Sequence, residues 1–342
     1  HAAAADDHHD PHHHDDHDHH EEHHDHRGAT RQADGHQEVS VIRGLLRAAA
    51  LTAGAGAACV GYGTFVESAS YRVRRAALPV LDPGTPPLRV LHFSDVHLLA
   101  WQARRKAFLR GLADLAPDLV VSTGDNLSNP DAVGALTASL GPLLEVPGAF
   151  VFGSNDYHRP SVRNPLGYLW ASTATDRAEA RRMRPEELSA ALARHGWLDL
   201  DNARAELVVR GVRLELRGTG DAHESRDDYA AVGGPPAPGA VPLGLTHAPY
   251  GRILDAMARD GVRCVFAGHT HGGQVCVPGW GALTSNCDLD PKLAKGVHRH
   301  VSADGAPTWV NVSAGVGMSP YAPFRFACPP EVSVVTLVSR AE

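Results

Sequence analysis

The residues best suited to chemistry are histidines, carboxylates and one asparagine, which recur just beyond short apolar runs. The run Gly268-His269-Thr270-His271-Gly272-Gly273 places two imidazoles two residues apart in a glycine-bracketed loop, so both can reach one point. Imidazole and carboxylate groups are typical ligands of divalent transition metals. The other members of the set are Asp95-Val96-His97, Gly124-Asp125-Asn126, Gly153-Ser154-Asn155-Asp156 and Thr246-His247.

Each motif taken alone has an ordinary structural interpretation. Asp125 could cap the helix that follows it, because aspartate is a favoured N-cap residue. Asn155 and Asp156 could form a turn, and His247 could be a core histidine. Their order along the chain and their shared position after apolar runs favour a single site.

The elements that position these motifs are short strands alternating with helices. The pattern from residue 88 to 152 is strand, helix, strand, helix, strand, which predicts a parallel sheet with right-handed crossovers. A second group of apolar runs indicates a second sheet. The predicted strands are 88–93, 119–122, 149–152, 206–209, 212–216, 241–246, 263–267, 274–277, 308–312 and 332–338, and the predicted helices are 101–115, 131–144 and 250–259. Because strand ends line the crevice of open α/β sheets, the motifs are expected to converge there.

In this order, the motifs resemble the calcineurin-like metallophosphoesterase family, over about residues 88–338. The apolar N-terminal segment and the stretch from Gly315 to Glu331 resemble the membrane-associated bacterial subgroup, whose relatives act on UDP-diacylglucosamine and other lipid-linked phosphoesters. The resemblance implies a four-layer α-β-β-α sandwich. It also implies phosphoester hydrolysis by a hydroxide that two metal ions generate.

The resemblance assigns ligands to both ions, which are Mn, Fe, Zn or Co. One ion is held by Asp95, His97, Asp125 and His271. The other is held by Asp125, Asn155, His247 and His269, so Asp125 bridges the pair.

The third motif departs from the family, which usually has Gly-Asn-His-Asp or Gly-Asn-His-Glu where this chain has Gly153-Ser154-Asn155-Asp156. Aligning Asn155 with the ligand asparagine puts Asp156 at the histidine that protonates the leaving group. A gapless alignment puts Ser154 at the ligand position instead. Asp156 and His158 are the candidate catalytic acids, and Asp156 needs a pKa raised by burial to serve.

The N-terminal 38 residues differ from the rest in composition. They carry eight Asp, three Glu and two Arg, a net charge of −9 against −7 for the whole chain. Thirteen of the 23 histidines also lie in residues 1–36. With almost no apolar side chains this tail is expected to be disordered, either binding divalent metals loosely or having no role. The remainder is nearly neutral and has no basic stripe, so no nucleic-acid polymer is expected as a partner.

Residues 39–78 are predicted to form an apolar helix, residues 79–87 a linker and residues 88–342 the phosphoesterase domain. The uncharged stretch Ala48–Val66 just reaches the length needed to span a bilayer. Spanning, interfacial and packed helices stay open, as does a cleaved signal with Ser68-Ala69-Ser70 as its site. We expect membrane contact through residues 45–66, with the catalytic domain on the cytoplasmic side.

Three further interpretations complete the set. Ser161–Arg194 is an insertion that forms a substrate cap or covers the sheet, and Arg325 is a structural arginine or a phosphate ligand. The five cysteines match no disulfide framework and are expected to be reduced. The leading prediction is a phosphodiesterase or phosphomonoesterase that acts on a lipid-linked or nucleotide-like phosphoester. The alternatives are a soluble nucleotide phosphodiesterase and a metal-handling protein with an impaired phosphoesterase fold.

Overall fold

The computed structural model describes residues 27–160 and 183–341, with side chains from residue 40 onwards. Residues 1–26 of the tail and most of the insertion lie outside the described residues. Residues 27–38, which were expected to be disordered, are helical. The described chain divides into two units, one ending at Gly56 and one beginning at Ala57.

The described chain contains the predicted helices and strands, with shifted ends, together with several elements that the sequence did not predict. The helices are α1 (Arg27–Phe65), α2 (Ala103–Gly111), α3 (Val133–Leu140), α4 (Ser154–Tyr157), α5 (Pro185–Ala193), α6 (Tyr229–Val232) and α7 (Gly251–Arg259). The strands are β1 (Arg72–Leu81), β2 (Leu88–Phe93), β3 (Leu119–Ser122), β4 (Gly148–Phe150), β5 (Leu198–Asp199), β6 (Ala203–Val209), β7 (Val212–Gly218), β8 (Val241–Thr246), β9 (Cys264–Ala267), β10 (Cys276–Val277), β11 (Gly281–Ala282), β12 (Gly296–Val301), β13 (Pro307–Val312) and β14 (Glu331–Ser339).

Two six-stranded sheets form the body of the second unit. The first has the order β1-β14-β2-β3-β4-β5 and the second has the order β12-β13-β9-β8-β7-β6. Strands β2, β3 and β4 are parallel to one another, as are β7, β8 and β9. The parallel β-α-β-α-β core and the second sheet are therefore confirmed.

Apolar side chains fill the space between the two sheets and also cover the outer face of each sheet. Leu91 and Phe93 on the first sheet pack in one cluster with Leu109 of α2 and Leu188 of α5. Strand residues of both sheets share a second cluster, and α7 covers the far face of the second sheet. The layer order is helix, sheet, sheet, helix, so the predicted four-layer sandwich is confirmed.

The segment between the apolar helix and the first predicted strand differs from expectation. Residues 72–81 are neither helix nor linker, because they form β1 and pair in parallel with β14. Arg74 holds this pairing through two hydrogen bonds to Glu331, at 3.0 and 2.9 Å. The catalytic body therefore begins before residue 88.

Helix α1 carries the candidate membrane segment. Ser40–Ala69 is a helix long and apolar enough to cross a membrane by its length and composition. Leu45, Leu46 and Leu51 are each more than 60% exposed. Leu51 lies in the uncharged stretch that begins at Ala48, whereas Leu45 and Leu46 lie between Arg43 and Arg47.

Strand β4 begins at Gly148, which lies against the buried indole ring of Trp197. A substitution at Gly148 tests this packing. A Cβ on Gly148 would overlap the Trp197 ring, which is 2% exposed. We expect Gly148→Ala to lower the free energy of unfolding by about 1–3 kcal/mol because the core there is already full. Urea denaturation followed by circular dichroism measures this change.

Gly134→Ala is the matched control, since no atom beyond the adjacent helix backbone lies within 4 Å of a Cβ there. It should be neutral or stabilising by up to about 1 kcal/mol, because Gly134 lies in helix α3. Equal unfolding curves for Gly148→Ala and the wild type would contradict the packing described.

Candidate metal centre

Every predicted ligand lies shortly after the end of a parallel strand, in a loop or, for Asn155, in helix α4. Asp95 follows β2, Asp125 follows β3 and Asn155 follows β4, whereas His247 follows β8. His269 and His271 follow β9. Because β2, β3 and β4 are parallel in one sheet and β8 and β9 are parallel in the other, the segments after them meet at one edge of the sandwich.

The first ligand set is compact. One ligand atom from each of Asp95, His97, Asp125 and His271 lies within 4.8 Å of the others. The Nε2 atoms of His97 and His271 are 3.3 Å apart. His97 Nε2 lies 3.4 Å from an Asp125 oxygen, and His271 Nε2 lies 3.5 Å from an Asp95 oxygen. This arrangement can hold one divalent cation.

The second set lies on the other side of Asp125. His247 Nε2 is 3.7 Å from Asp125 Oδ1 and 3.3 Å from His269 Nδ1. Asn155 donates its backbone N–H to Asp125 Oδ1 at 2.7 Å, and its side-chain amide contacts Asp125 Oδ2 at 2.5 Å. The Asp125 carboxylate therefore lies between imidazoles of both predicted ligand sets, with His97 near one oxygen and His247 near the other.

The backbone of the loops is held in a costly conformation. Asp95, His97, Asp125, His269 and His271 all have φ between 45° and 69°. Non-glycine residues rarely adopt this left-handed region, and such strain is concentrated at functional sites. The loops are paired to each other, since His97 N donates to Asp125 O at 2.9 Å and Asp95 N to Gly124 O at 2.9 Å.

Three of the histidines use one ring nitrogen to bond a backbone carbonyl. His247 Nδ1 donates to Thr123 O at 2.6 Å, and His271 Nδ1 donates to Gly317 O at 3.2 Å. His269 Nε2 lies 3.1 Å from Asn286 O. Metal-binding histidines are oriented in this way, because the second nitrogen then presents its lone pair to the ion. The donor set fits divalent metal binding.

Glycines keep space open between the ligands. A Cβ on Gly153 would overlap Asp125 Oδ1 and lie 2.5 Å from His247 Cε1. A Cβ on Gly268 would overlap Ser94 Oγ and lie 2.6 Å from Asp95 Oδ2. The ligand side chains approach the backbone so closely at Gly153 and Gly268 that only glycine fits at these positions.

Burial and neighbouring charges shift the pKa values of the ligand side chains in opposite directions. Burial alone would raise the pKa of Asp125, but His247 and His97 outweigh it and hold that pKa well below its usual range. Burial, together with the nearby Asp125, raises the pKa of Asp95 to about 6. Burial lowers the pKa of His97 to about 4, so this imidazole is neutral and able to bind metal at pH 7.

Two buried arginines donate hydrogen bonds to backbone carbonyls in and beside the ligand loops. Arg105 donates to Val96 O and His97 O, both at 2.9 Å. Arg325 is fully buried and donates to Ala314 O at 2.7 Å and to Gly317 O at 2.6 Å, the same carbonyl that accepts from the His271 ring. The structural interpretation of Arg325 is therefore supported, and its guanidinium is engaged by backbone carbonyls.

The third motif forms the short helix α4. Asp156 is 2% exposed, and its oxygens accept from Asn126 N at 2.8 Å and Gly153 N at 3.1 Å. Burial and the neighbouring Asp125 raise the pKa of Asp156 to about 7. Asp156 thus ties two ligand loops together.

His158 lies at the other end of the motif and is partly exposed. Its Nε2 lies 3.4 Å from Glu224 and 3.3 Å from Arg226. The catalytic roles of Asp156 and His158 stay predictions.

Sequence reasoning missed several residues beside the ligands. The His223 ring centroid lies 4.4 Å from that of His269, and His223 Nδ1 lies 3.0 Å from the Tyr250 hydroxyl. His223 follows strand β7, so the strand-end rule that found His247 also applies to it. Asn286 has no such signal, because it reaches His269 from a loop after β11.

Comparisons with known proteins agree with this geometry. The profile of a family described as calcineurin-like phosphoesterase matches residues 88–273. A Bacillus subtilis protein described as uncharacterized metallophosphoesterase YkuE is 25% identical over 307 residues, covering 86% of this chain and 94% of the relative.

Two more distant similarities were found. A Bos taurus transmembrane protein with metallophosphoesterase domain is 27% identical over 207 residues, covering 57% of this chain and 43% of the relative. The structure of Haemophilus influenzae NAD nucleotidase aligns with 68% of this chain and 51% of its own, at 11% identity and a TM-score of 0.39.

The protonation of His247 gives a test of the site. Burial would lower its pKa, but Asp125, Asp221 and Asp95 outweigh burial and raise it to about 9 without a bound ion. His247 is therefore charged at pH 7 and has to lose its proton to bind metal. We expect Mn²⁺ binding at pH 7 to release about one proton from this residue, and the affinity to rise with pH until about 9.

Isothermal titration in buffers of different ionisation enthalpy counts the released protons. His247→Gln should lose this contribution, whereas His195→Gln, an exposed histidine after helix α5, should keep it. Proton release that is identical in wild type and His247→Gln would show that His247 is not a ligand.

Proposed function

The chain belongs to the calcineurin-like phosphoesterase family and is a metal-dependent phosphoester hydrolase, and from this premise we propose that it cleaves lipid-linked phosphoesters at a two-metal site near a membrane. The observation that carries the proposal is Asp125, which contacts His97 on one side and His247 and Asn155 on the other. A single carboxylate placed in this way suits two cations a few ångströms apart.

We propose that Asp95, His97, Asp125 and His271 hold one ion, and that Asp125, Asn155, His247 and His269 hold the other. The position of Asn155 supports its assignment as a ligand, because both its backbone N–H and its side-chain amide contact Asp125. Turning the amide about its last bond presents the oxygen to the same space. The ions, when bound, acidify water and polarise the phosphate oxygens.

The protein's own groups prepare this chemistry. Burial of the carboxylates excludes water from their surroundings, which strengthens every interaction with a cation. Asp156 and Arg105 keep the loops in place, so the ligands need little reorganisation when an ion binds. His271 is partly exposed, whereas Asp95 is fully buried, so the centre opens towards solvent on the His271 side.

Proton delivery to the leaving group is proposed to be weaker than in relatives with Gly-Asn-His-Asp. Both carboxylate oxygens of Asp156 accept hydrogen bonds from the protein, which hinders donation from this residue. His158 is partly exposed and contacts Glu224 and Arg226. Substrates with acidic leaving groups, such as phosphates or phenols, are therefore favoured.

A membrane substrate is supported by two observations. Helix α1 is long and apolar enough to span a bilayer, and one relative is itself described as a transmembrane protein. We propose that the chain is held at the membrane by α1, with the catalytic unit on the cytoplasmic side. A UDP-diacylglucosamine-like substrate is the specific form of this proposal.

Hydrolysis of bis(p-nitrophenyl) phosphate tests the two-metal assignment. The full chain, stripped of metal and refilled with Mn²⁺, should turn over this diester. Asp125→Ala and His271→Ala should each lose at least about 100-fold in kcat/KM, since groups that position reacting atoms contribute on this scale. Asp131→Ala, an exposed aspartate near helix α3, is the matched control and should stay near wild type. Activity that survives in Asp125→Ala would contradict the bridge.

The leaving-group proposal has a test of its own. Across aryl phosphodiesters, kcat/KM should fall steeply as the pKa of the leaving phenol rises, because the proton is poorly supplied. The variant Asp156→His keeps the proposed ligand Asn155, puts a histidine at the position aligned with the family's acid, and should flatten that dependence. Cleavage of unactivated alkyl diesters as fast as aryl diesters by the wild type would show that proton delivery is intact.

A further inference from the structure

Three segments that carry no charged residue come together beside the metal loop. They are the end of helix α1 (residues 57–66), the β10–β11 hairpin with its flanks (275–287) and the stretch 313–324. We call these segments the apolar rim. They are far apart in sequence, so their contact is a property of the fold.

Backbone hydrogen bonds join the three segments through residues 324–326. Arg325 N donates to Gly63 O at 3.3 Å, and a Cβ on Gly63 would overlap the Phe324 ring. On the other side, Cys276 N donates to Phe326 O at 2.8 Å, and Phe326 N donates to Gln274 O at 3.1 Å. The helix end and the hairpin are thus separated by one strand-like segment.

The apolar rim exposes large side chains. Trp280 is 72% exposed, Leu283 54% and Phe65 75%. Of the eleven exposed large apolar side chains described beyond residue 56, eight lie on the rim. Exposed apolar side chains concentrated in this way favour an interaction site.

We propose that the apolar rim lies in the interfacial layer of the bilayer that receives helix α1, with Trp280 as its main anchor. The inference rests on the membrane attachment in the proposed function. A bilayer is the occupant because the rim is continuous with the end of a helix able to span one. Tryptophan and tyrosine favour the headgroup layer, and the rim presents Trp280, Tyr62 and Tyr321.

This contact would orient the metal centre relative to the bilayer surface. The loop with His269 and His271 leads through Gln274 directly into the hairpin, and His271 O lies 3.4 Å from Arg325 Nη1. The metal centre is therefore next to the rim. A phosphoester whose lipid tail stays in the bilayer could reach the ligands without being extracted.

Fluorescence quenching by brominated lipid tests the contact directly. The full chain is reconstituted into phosphatidylcholine vesicles with and without bromine on the acyl chains. Wild-type emission should be quenched, and Trp280→Gln should lose a large part of that quenching. Trp280→Gln/Val208→Trp restores the number of tryptophans at an exposed position on β6 and should not restore the quenching.

Bis(p-nitrophenyl) phosphate turnover in the same samples separates this proposal from the proposed function. Quenching from Trp280 without turnover supports the membrane contact and removes the hydrolase assignment. Turnover with equal quenching in wild type and Trp280→Gln overturns the contact. A change in oligomeric state caused by Trp280→Gln, with quenching unchanged, would assign the rim to a second copy of the chain and also overturns it.

Discussion

The site depends on the burial of one carboxylate between two groups of histidines. Asp125 is 3% exposed, and its charge is stabilised by His97, His247 and the Asn155 amides. A buried carboxylate is costly unless it is paired, so the surrounding loops are constrained to supply partners. Paired loops, left-handed ligand residues and motif glycines all serve to bring those partners close.

Much of this arrangement could be predicted from sequence because it is local. A ligand loop directly follows an apolar strand, and glycine brackets mark the close approaches at Gly153 and Gly268. Short apolar runs also identified both sheets. By contrast, β1 was missed because its arginines suggested a helix flank, and its strand pairing comes from β14, which lies about 260 residues away.

Roles that depend on long-range contacts were not visible in the sequence. Nothing near Arg105 or Arg325 indicates which carbonyls these side chains reach. The same holds for His223, whose neighbour His269 lies on another strand end. For Asp156, the sequence raised burial as a condition for acid catalysis. In the structure Asp156 is buried and also accepts hydrogen bonds from two backbone N–H groups. These contacts fit a positioning role equally well.

The central claim is that Asp125 joins two metal ions in one centre. Electron paramagnetic resonance of the chain fully loaded with Mn²⁺ tests it most directly, because two ions bridged by a carboxylate are magnetically coupled. The account predicts a coupled spectrum in the wild type that is lost in Asp125→Ala. A wild-type spectrum of isolated Mn²⁺ at full loading would contradict it.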